Sequence, residues 1–218
     1  MMVGSLRFKI IFYIGVFVLT FLMASRGYST LHIAATVVVA GSLAFLPYVY
    51  ALLIEKRIDR LETFLRKQKG NPAIYINYVL ANKLEDEASS IMAQLIRKYK
   101  EPNKQALFKA AYGLYRKDMN AVREAVPYIR LSNYRAYYEV ILLVEDGRSD
   151  QALGALDAIK RPWMRSALMA EIELRAGRHD AASQHAREAL RAVRGVHRYV
   201  MYKEYERLLP QSIAGLSY

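Results

Sequence analysis

The side chains best suited to acid–base or metal chemistry are few in this 218-residue chain, and their spacing is unfavourable. His179 and His185 are six residues apart, which places them on nearly opposite sides of a helix. Glu171 and Glu173, two residues apart, diverge as well. No glycine-rich phosphate loop, His-Glu-x-x-His or Gly-x-Ser-x-Gly sequence occurs, and there is no cysteine. We predict no catalytic residue, no metal site and no cofactor, so the chain is not expected to be an enzyme.

Tyrosine is the abundant chemical group, with 17 copies, 13 of them after Ile54. Tyrosine is favoured in binding surfaces because it offers a large contact area at a small entropy cost. An amphipathic stripe also forms when helices simply pack together, and this is the simpler interpretation. The two groups are a stripe at Tyr199, Tyr202 and Tyr205 and a cluster at Tyr134, Tyr137 and Tyr138.

The first 54 residues are predicted to form a transmembrane helical hairpin. Residues 8–24 contain one charge, Lys9, and residues 31–54 contain no Lys, Arg, Asp or Glu. About 20 apolar residues cross a bilayer as a helix, because a helix satisfies its own backbone in lipid. Residues 25–30 leave room only for a tight turn between the two segments.

The basic residues near these segments predict the orientation of a two-pass protein of the cell membrane. Arg7 and Lys9 precede the first segment, and Arg26 alone lies in the turn. We therefore expect both termini to be cytoplasmic. Cleavage of the first segment as a signal peptide near residues 23–25 is the alternative. Six basic residues follow the second segment: Lys56, Arg57, Arg60, Arg66, Lys67 and Lys69.

The part after Ile54 has a strongly basic composition. It contains 29 of the 32 Lys and Arg and all 20 Asp and Glu, which gives it a net charge of +9. Such a charge suits contact with anionic lipid. It also suits nucleic acid, but the glycine–aromatic signature of an RNA platform is missing, so nucleic acid is not the expected partner.

Residues 55–70 are predicted to extend the second membrane helix as far as Lys69, where Gly70, Asn71 and Pro72 end it. Apolar residues recur here at helical spacing, including Leu61 and Leu65. This extension is interpreted as a stalk that packs on the next domain, as a short coiled coil, or as a helix on the membrane surface.

From residue 71 to 218 the sequence alternates helical patterns with short turns. Four turns align at Lys83, Lys117, Gly147 and Gly177, with spacings of 34, 30 and 30 residues that indicate stacked helical pairs. Close approach of the paired helices is predicted at two sets of residues. Five residues after each turn lie Ala88, Val122, Ala152 and Ala182, and seven before lie Ile76, Ala110, Val140 and Ala170.

These residues resemble tetratricopeptide repeats, most closely in MAEIELRAGRHDAASQHAREAL, residues 169–190. Glu173 departs from that pattern where a large aromatic residue is usual, and Pro127 should shorten a second helix. The resemblance implies an all-α fold: the N-terminal hairpin, then a right-handed α-solenoid of about four helical hairpins. The helix Val196–Leu209 is expected to cap its end.

Tetratricopeptide repeats commonly bind extended peptides in a concave groove lined by the first helix of each pair. The resemblance therefore implies a membrane-anchored scaffold that recruits a protein or peptide partner to the cytoplasmic face. The alternative is a non-catalytic subunit of a membrane complex, with the specific contacts in the hairpin. Binding of anionic lipid or nucleic acid by the basic surface is a third hypothesis. The implied groove residues are Asn77, Lys104, Leu107, Tyr134, Tyr137, Ile141, Glu171 and Arg175.

Overall fold

The computed structural model describes the backbone of residues 6–215 and the side chains of residues 10–215. It divides into two compact units, Met1–Ile54 and Glu55–Tyr218. Within the described residues all regular structure is helical, so the predicted all-α class is confirmed. The α-helices are α1 Leu6–Ser25, α2 Thr30–Leu53, α3 Ile58–Arg66, α4 Pro72–Ala81, α5 Glu85–Lys98, α6 Pro102–Arg116, α7 Met119–Ala125, α8 Ser132–Glu145, α9 Ser149–Ala155, α10 Pro162–Arg175, α11 His179–Ala192, α12 Gly195–Leu208 and α13 Pro210–Ile213.

The N-terminal unit consists of α1, a turn and α2. Gly27, with φ +74°, ends α1, and Thr36 of α2 contacts the sulfur of Met23 at 3.5 Å. Among the described residues, α2 is the one helix long and apolar enough to cross a membrane by length and composition. The apolar part of α1, Ile10–Ser25, is shorter. The side chains of Arg7 and Lys9, used above to predict orientation, lie outside the described residues.

The second helix ends at Leu53, although the sequence predicts a continuous helix to Lys69. The interruption has a local cause at Glu55. Its Oε1 accepts hydrogen bonds from the backbone N–H groups of Lys56 at 2.9 Å and Arg57 at 3.0 Å. The amphipathic α3 then begins at Ile58 and packs its apolar side on α4 and α12. Residues 55–70 thus belong to the same compact unit as the helices that follow them.

Four successive helix pairs make up most of the C-terminal unit: α4 with α5, α6 with α7, α8 with α9, and α10 with α11. Each first helix ends at a residue with positive φ, and these are the four predicted turn residues Lys83, Lys117, Gly147 and Gly177. Both sets of residues predicted at the close approaches are at most 5% exposed. The alignment of the turns therefore located the helix junctions correctly.

A spacing of 30 residues recurs in finer detail than the turns indicate. The first helices begin at Pro72, Pro102, Ser132 and Pro162, and proline suits a first helical position, which needs no N–H partner. Equivalent side-chain bonds also recur: Asn103 Oδ1 accepts from Arg130 N, and Asn133 Oδ1 from Lys160 N, both at 2.8 Å.

The second helices α7 and α9 are only seven residues long, and a 3₁₀ turn follows each. The shortening predicted at Pro127 is present in the first of these turns, residues 126–128. The second turn, Leu156–Ala158, has no proline. The short second helix is therefore a feature that the two pairs share rather than an effect of Pro127 alone.

Helix α12 is placed differently from an end cap. It contacts α11, as predicted, but it also packs on α3 and α4, at the opposite end of the sequence of helix pairs. Its aromatic side chains make this contact, and Tyr199 is fully buried. The helix thus connects the last pair to the first rather than covering a free end.

Candidate interaction site

Helix α12 lies against the first helices of three pairs, α4, α8 and α10. Its Tyr199 ring stacks on Tyr78 of α4, with centroids 6.3 Å apart. Its His197 accepts or donates a hydrogen bond with Tyr134 Oη of α8 at 2.8 Å and stacks on Trp163 of α10 at 5.3 Å. We call the surface that α4, α8 and α10 present to α12 the inner face. The candidate groove of the sequence analysis is therefore partly occupied by the chain itself.

The contact with α4 combines aromatic stacking with hydrogen bonds. Tyr75, Tyr78 and Tyr199 form a continuous stack. Asn82 Nδ2 donates to Tyr199 Oη at 2.8 Å, and Arg207 Nη1 donates to the Ala81 carbonyl at 2.8 Å, so the end of α4 is capped from α12. Burial raises the pKa of Tyr199 to about 12. This hydroxyl therefore stays protonated and serves packing rather than acid–base chemistry.

A second set of bonds ties α12 to the joint that follows α2. The backbone N–H of Gly195 donates to the Glu55 carbonyl at 2.8 Å. Arg198, only 6% exposed, donates from Nε to the Lys56 carbonyl at 2.7 Å and from Nη1 to the Leu190 carbonyl. Burial lowers the pKa of Arg198, yet carbonyl acceptors at two backbone segments compensate for its desolvation. A buried charge thus holds the joint, α11 and α12 together.

The Glu55 carboxylate stabilises the same joint. Burial disfavours its ionised form, but the N–H donors of Arg57 and Lys56, together with Arg60, outweigh burial and lower its pKa. The Arg60 guanidinium lies 3.5 Å from Glu55 Oε2. The carboxylate is therefore ionised at neutral pH and fully used in holding the chain where α3 begins.

His197 lies in a concave part of the surface, with one side open to solvent. Desolvation by the surrounding atoms, and then the positive charge of Arg161, lower its pKa below the ordinary value. Arg161 itself lies over the Tyr134 ring at 5.5 Å from its centroid. His197 is therefore neutral at pH 7, as its contact with a tyrosine hydroxyl and an indole ring requires.

Deeper on the inner face, Tyr137 of α8 and Tyr205 of α12 lie near two carboxylates, Glu171 and Glu204. Burial, and then these negative charges, raise the pKa of Glu171's neighbour Tyr137 well above the tyrosine value. Burial raises the pKa of Tyr205 likewise, with further contributions from Tyr137 and the carboxylates. Both tyrosines are neutral at physiological pH and offer hydrogen-bond donors rather than catalytic bases.

The eight predicted groove residues fall into two groups. Four lie on α8 and α10 around α12: Tyr134 and Tyr137 as above, and Glu171 and Arg175, which form an ion pair at 3.1 Å. The other four are not brought together with them by any contact in the described part. Asn77 bonds to its own helix at 3.0 Å, Lys104 pairs with Glu101 at 2.8 Å, Leu107 packs on the core, and Ile141 is buried.

A separate depression of about 890 Å³ lies on α6 and α7 beside Met92 of α5. Its lining mixes charges, such as Lys109, Arg116 and Glu124, with the ring of Tyr128. Tyr128 is 60% exposed, which is high for an aromatic side chain. The depression is suited to receive a polar or aromatic side chain of another molecule.

The sequence analysis missed the residues that anchor α12. Nothing in the local sequence pairs Arg198 with Lys56, which is 142 residues earlier. Trp163 and His197 had a weak signal, because each lies at the start of a helix where side chains of neighbouring helices meet. Among the described residues, no group of three His, Cys, Asp or Glu side chains is placed to hold a metal ion.

No protein-family model, curated protein or solved structure gives a significant match to this chain. The argument for function therefore rests on the residues and contacts described above.

Proposed function

We propose that the chain is a membrane-anchored scaffold whose tetratricopeptide-like solenoid recruits a protein partner to the cytoplasmic face. The apolar α2 anchors it, with α1 as a second crossing in a two-pass topology. The observation that carries this proposal is the joint. Helix α2 is exposed along nearly its whole length, and within four residues the chain is fixed by Gly195 and Arg198 to the helical unit. Such a connection suits a scaffold held at a defined position beside the membrane.

The absence of cysteine from the sequence makes topology directly testable by single-cysteine labelling. Ser29, in the turn between α1 and α2, and Ser90, on α5, are both exposed and suit substitution by cysteine. In intact cells a membrane-impermeant maleimide should label Ser29→Cys and not Ser90→Cys, while permeabilisation should expose both. Labelling of Ser90→Cys in intact cells would refute a cytoplasmic helical unit.

Partner recruitment is tested by crosslinking pull-down from native membranes with the full chain and with a fragment lacking α1 and α2. The fragment must begin at Glu55, because α3 contributes the fully buried Leu61 and Leu65 to the unit. Capture of the same protein by both would support recognition by the helical unit. Capture by the full chain alone would favour the alternative, a complex subunit whose apolar helices make the specific contacts.

Two surface variants then locate the recognition site. Tyr128→Ala alters the depression on α6 and α7, and Arg175→Ala alters the open edge of the inner face; both side chains are more than half exposed. Lys100→Ala, at another exposed position, is the control. We expect one of the two surface variants to weaken capture while the control retains it. Unchanged capture by both would exclude the two sites described above.

A further inference from the structure

Helix α12 brings together basic residues that are far apart in the sequence. The Arg198 guanidinium donates to carbonyls of both Lys56 and Leu190, so these backbone segments lie side by side. Arg191 and Arg194, both exposed, therefore flank the segment that carries Lys56, Arg57 and Arg60.

Arg161 joins the same end of the unit through a chain of contacts. Its guanidinium lies over the Tyr134 ring, and the Tyr134 hydroxyl bonds to His197, two residues after Gly195. Gly195 in turn bonds to Glu55. We call the six residues at this end the basic cluster: Lys56, Arg57, Arg60, Arg161, Arg191 and Arg194.

Few carboxylates balance this cluster. Glu55 is buried and accepts bonds from two backbone N–H groups, and Asp59 is paired with Arg57 at 2.9 Å. Within the described residues, four members form no ion pair: Lys56, Arg161, Arg191 and Arg194. Six cations against two carboxylates leave a surplus of positive charge at one end of the unit.

The position of the cluster in the chain indicates which anion it meets. Lys56 follows the last residue of α2 by three residues, a distance of at most about 10 Å even for an extended chain. If α2 crosses the membrane, as the proposed function requires, the cluster lies within reach of the lipid headgroups. Trp163 and Tyr134 lie beside it, and both residue types are favoured at the membrane interface.

We propose that the basic cluster binds the phosphate groups of anionic phospholipids in the leaflet from which α2 emerges. Binding there holds the helical unit in one orientation on the membrane surface. Each basic residue near an anionic surface contributes about fivefold to binding. The specific step is the contribution of Arg191 and Arg194, which only the folded α11–α12 junction delivers to the membrane-proximal end.

The test uses the full chain in detergent, titrated with phosphatidylglycerol or phosphatidylcholine, with bound lipid counted by native mass spectrometry. The variant Arg191→Gln with Arg194→Gln removes two charges from the cluster. Its control, Arg97→Gln with Lys100→Gln, removes two exposed charges from the region of α5. Equal urea midpoints for both variants and the parent chain, read from Trp163 fluorescence, establish that the fold is retained.

We expect phosphatidylglycerol to bind more tightly than phosphatidylcholine, and the Arg191/Arg194 variant to lose that preference by more than tenfold. The control should retain it. Equal binding of the two lipids, or equal losses in both variants, would overturn the proposal. Binding of an RNA oligonucleotide that depends on Arg191 and Arg194, without preference for phosphatidylglycerol, would overturn it in favour of nucleic acid. Resistance of the chain to carbonate extraction from membranes tests the anchor independently, so failure of the two proposals can be told apart.

Discussion

Gly113 provides the sharpest test of the helix packing. It is buried in the last turn of α6, facing α7. A Cβ atom added there would lie 3.0 Å from Val122 Cγ2, 3.1 Å from the Asp118 carbonyl oxygen and 3.2 Å from Val122 N. Two of these three neighbours are backbone atoms, which cannot rotate away. Gly113→Ala should therefore force α6 and α7 apart.

The chain offers a matched control in Gly154, which lies within α9 and has no heavy atom within 4 Å of an added Cβ. Alanine in a helix is favoured over glycine by about 0.5–1 kcal/mol, so Gly154→Ala should stabilise the unit by that amount. At Gly113 the same gain is opposed by overpacking, which costs about 1–3 kcal/mol. We expect a net loss of about 1 kcal/mol there, and a difference of about 2 kcal/mol between the variants.

The assay is urea unfolding of the full chain in detergent, followed by the fluorescence of Trp163, the only tryptophan in the sequence. With a slope of about 2 kcal/mol per molar urea, the midpoints of the two variants should differ by about 1 M. Combining Gly113→Ala with Val122→Ala should cost less than the sum of the single losses, because one of the three clashes is removed. Equal stabilisation by both glycine substitutions would refute the close approach of α6 and α7.

Three further outcomes are expected in the same assay. Arg198→Met should lower the free energy of unfolding by about 2–4 kcal/mol, since two buried carbonyls lose their donor, whereas Arg194→Met should change it by less than about 0.5 kcal/mol; equal effects would show that the buried bonds contribute nothing. Stability should fall as the pH drops below about 6.5, because unfolded His197 binds a proton before the folded residue does, and His197→Gln should flatten this dependence; an unaltered profile would assign the effect to other groups. Ala182→Trp, at a fully buried position, should cost several kcal/mol by overpacking, while Gln184→Trp on the exposed side of the same helix should be nearly neutral; a neutral Ala182→Trp would contradict the packing of α10 on α11.

Local signals explain what the sequence could predict. A turn that ends a helix needs a residue able to adopt positive φ, and this requirement acts within a few residues of the chain. Gly147 and Gly177 satisfy it directly, and the spacing of 30 residues extended the assignment to Lys117, which has φ +58° without being glycine. Small residues such as Ala110 were correctly placed at buried contacts for the same reason, since helical periodicity is local.

The position of α12 depends on contacts that no local pattern encodes. The stripe containing Tyr199 and Tyr205 predicts that one side of the helix is buried, but it does not specify the partner helix. The end of α2 was missed for a similar reason. Glu55 reads as an ordinary helix former, and only its bonds to the following N–H groups, together with Gly195 and Arg198, make it a break. The groove residues on α8 were located correctly as a surface, but its occupant came from the same chain.

The joining of α12 to Glu55, Lys56 and Asn82 also has a consequence for the order of folding during synthesis. These contacts span up to 142 residues, and chain growth at about 5–20 residues per second separates their partners by roughly 10–30 s. Throughout that interval α2 is already available to enter the membrane, while the tyrosines of the inner face have no covering helix. Completion of the unit is therefore a late event. A chain that stops before residue 195 would present an aromatic, aggregation-prone surface next to the membrane.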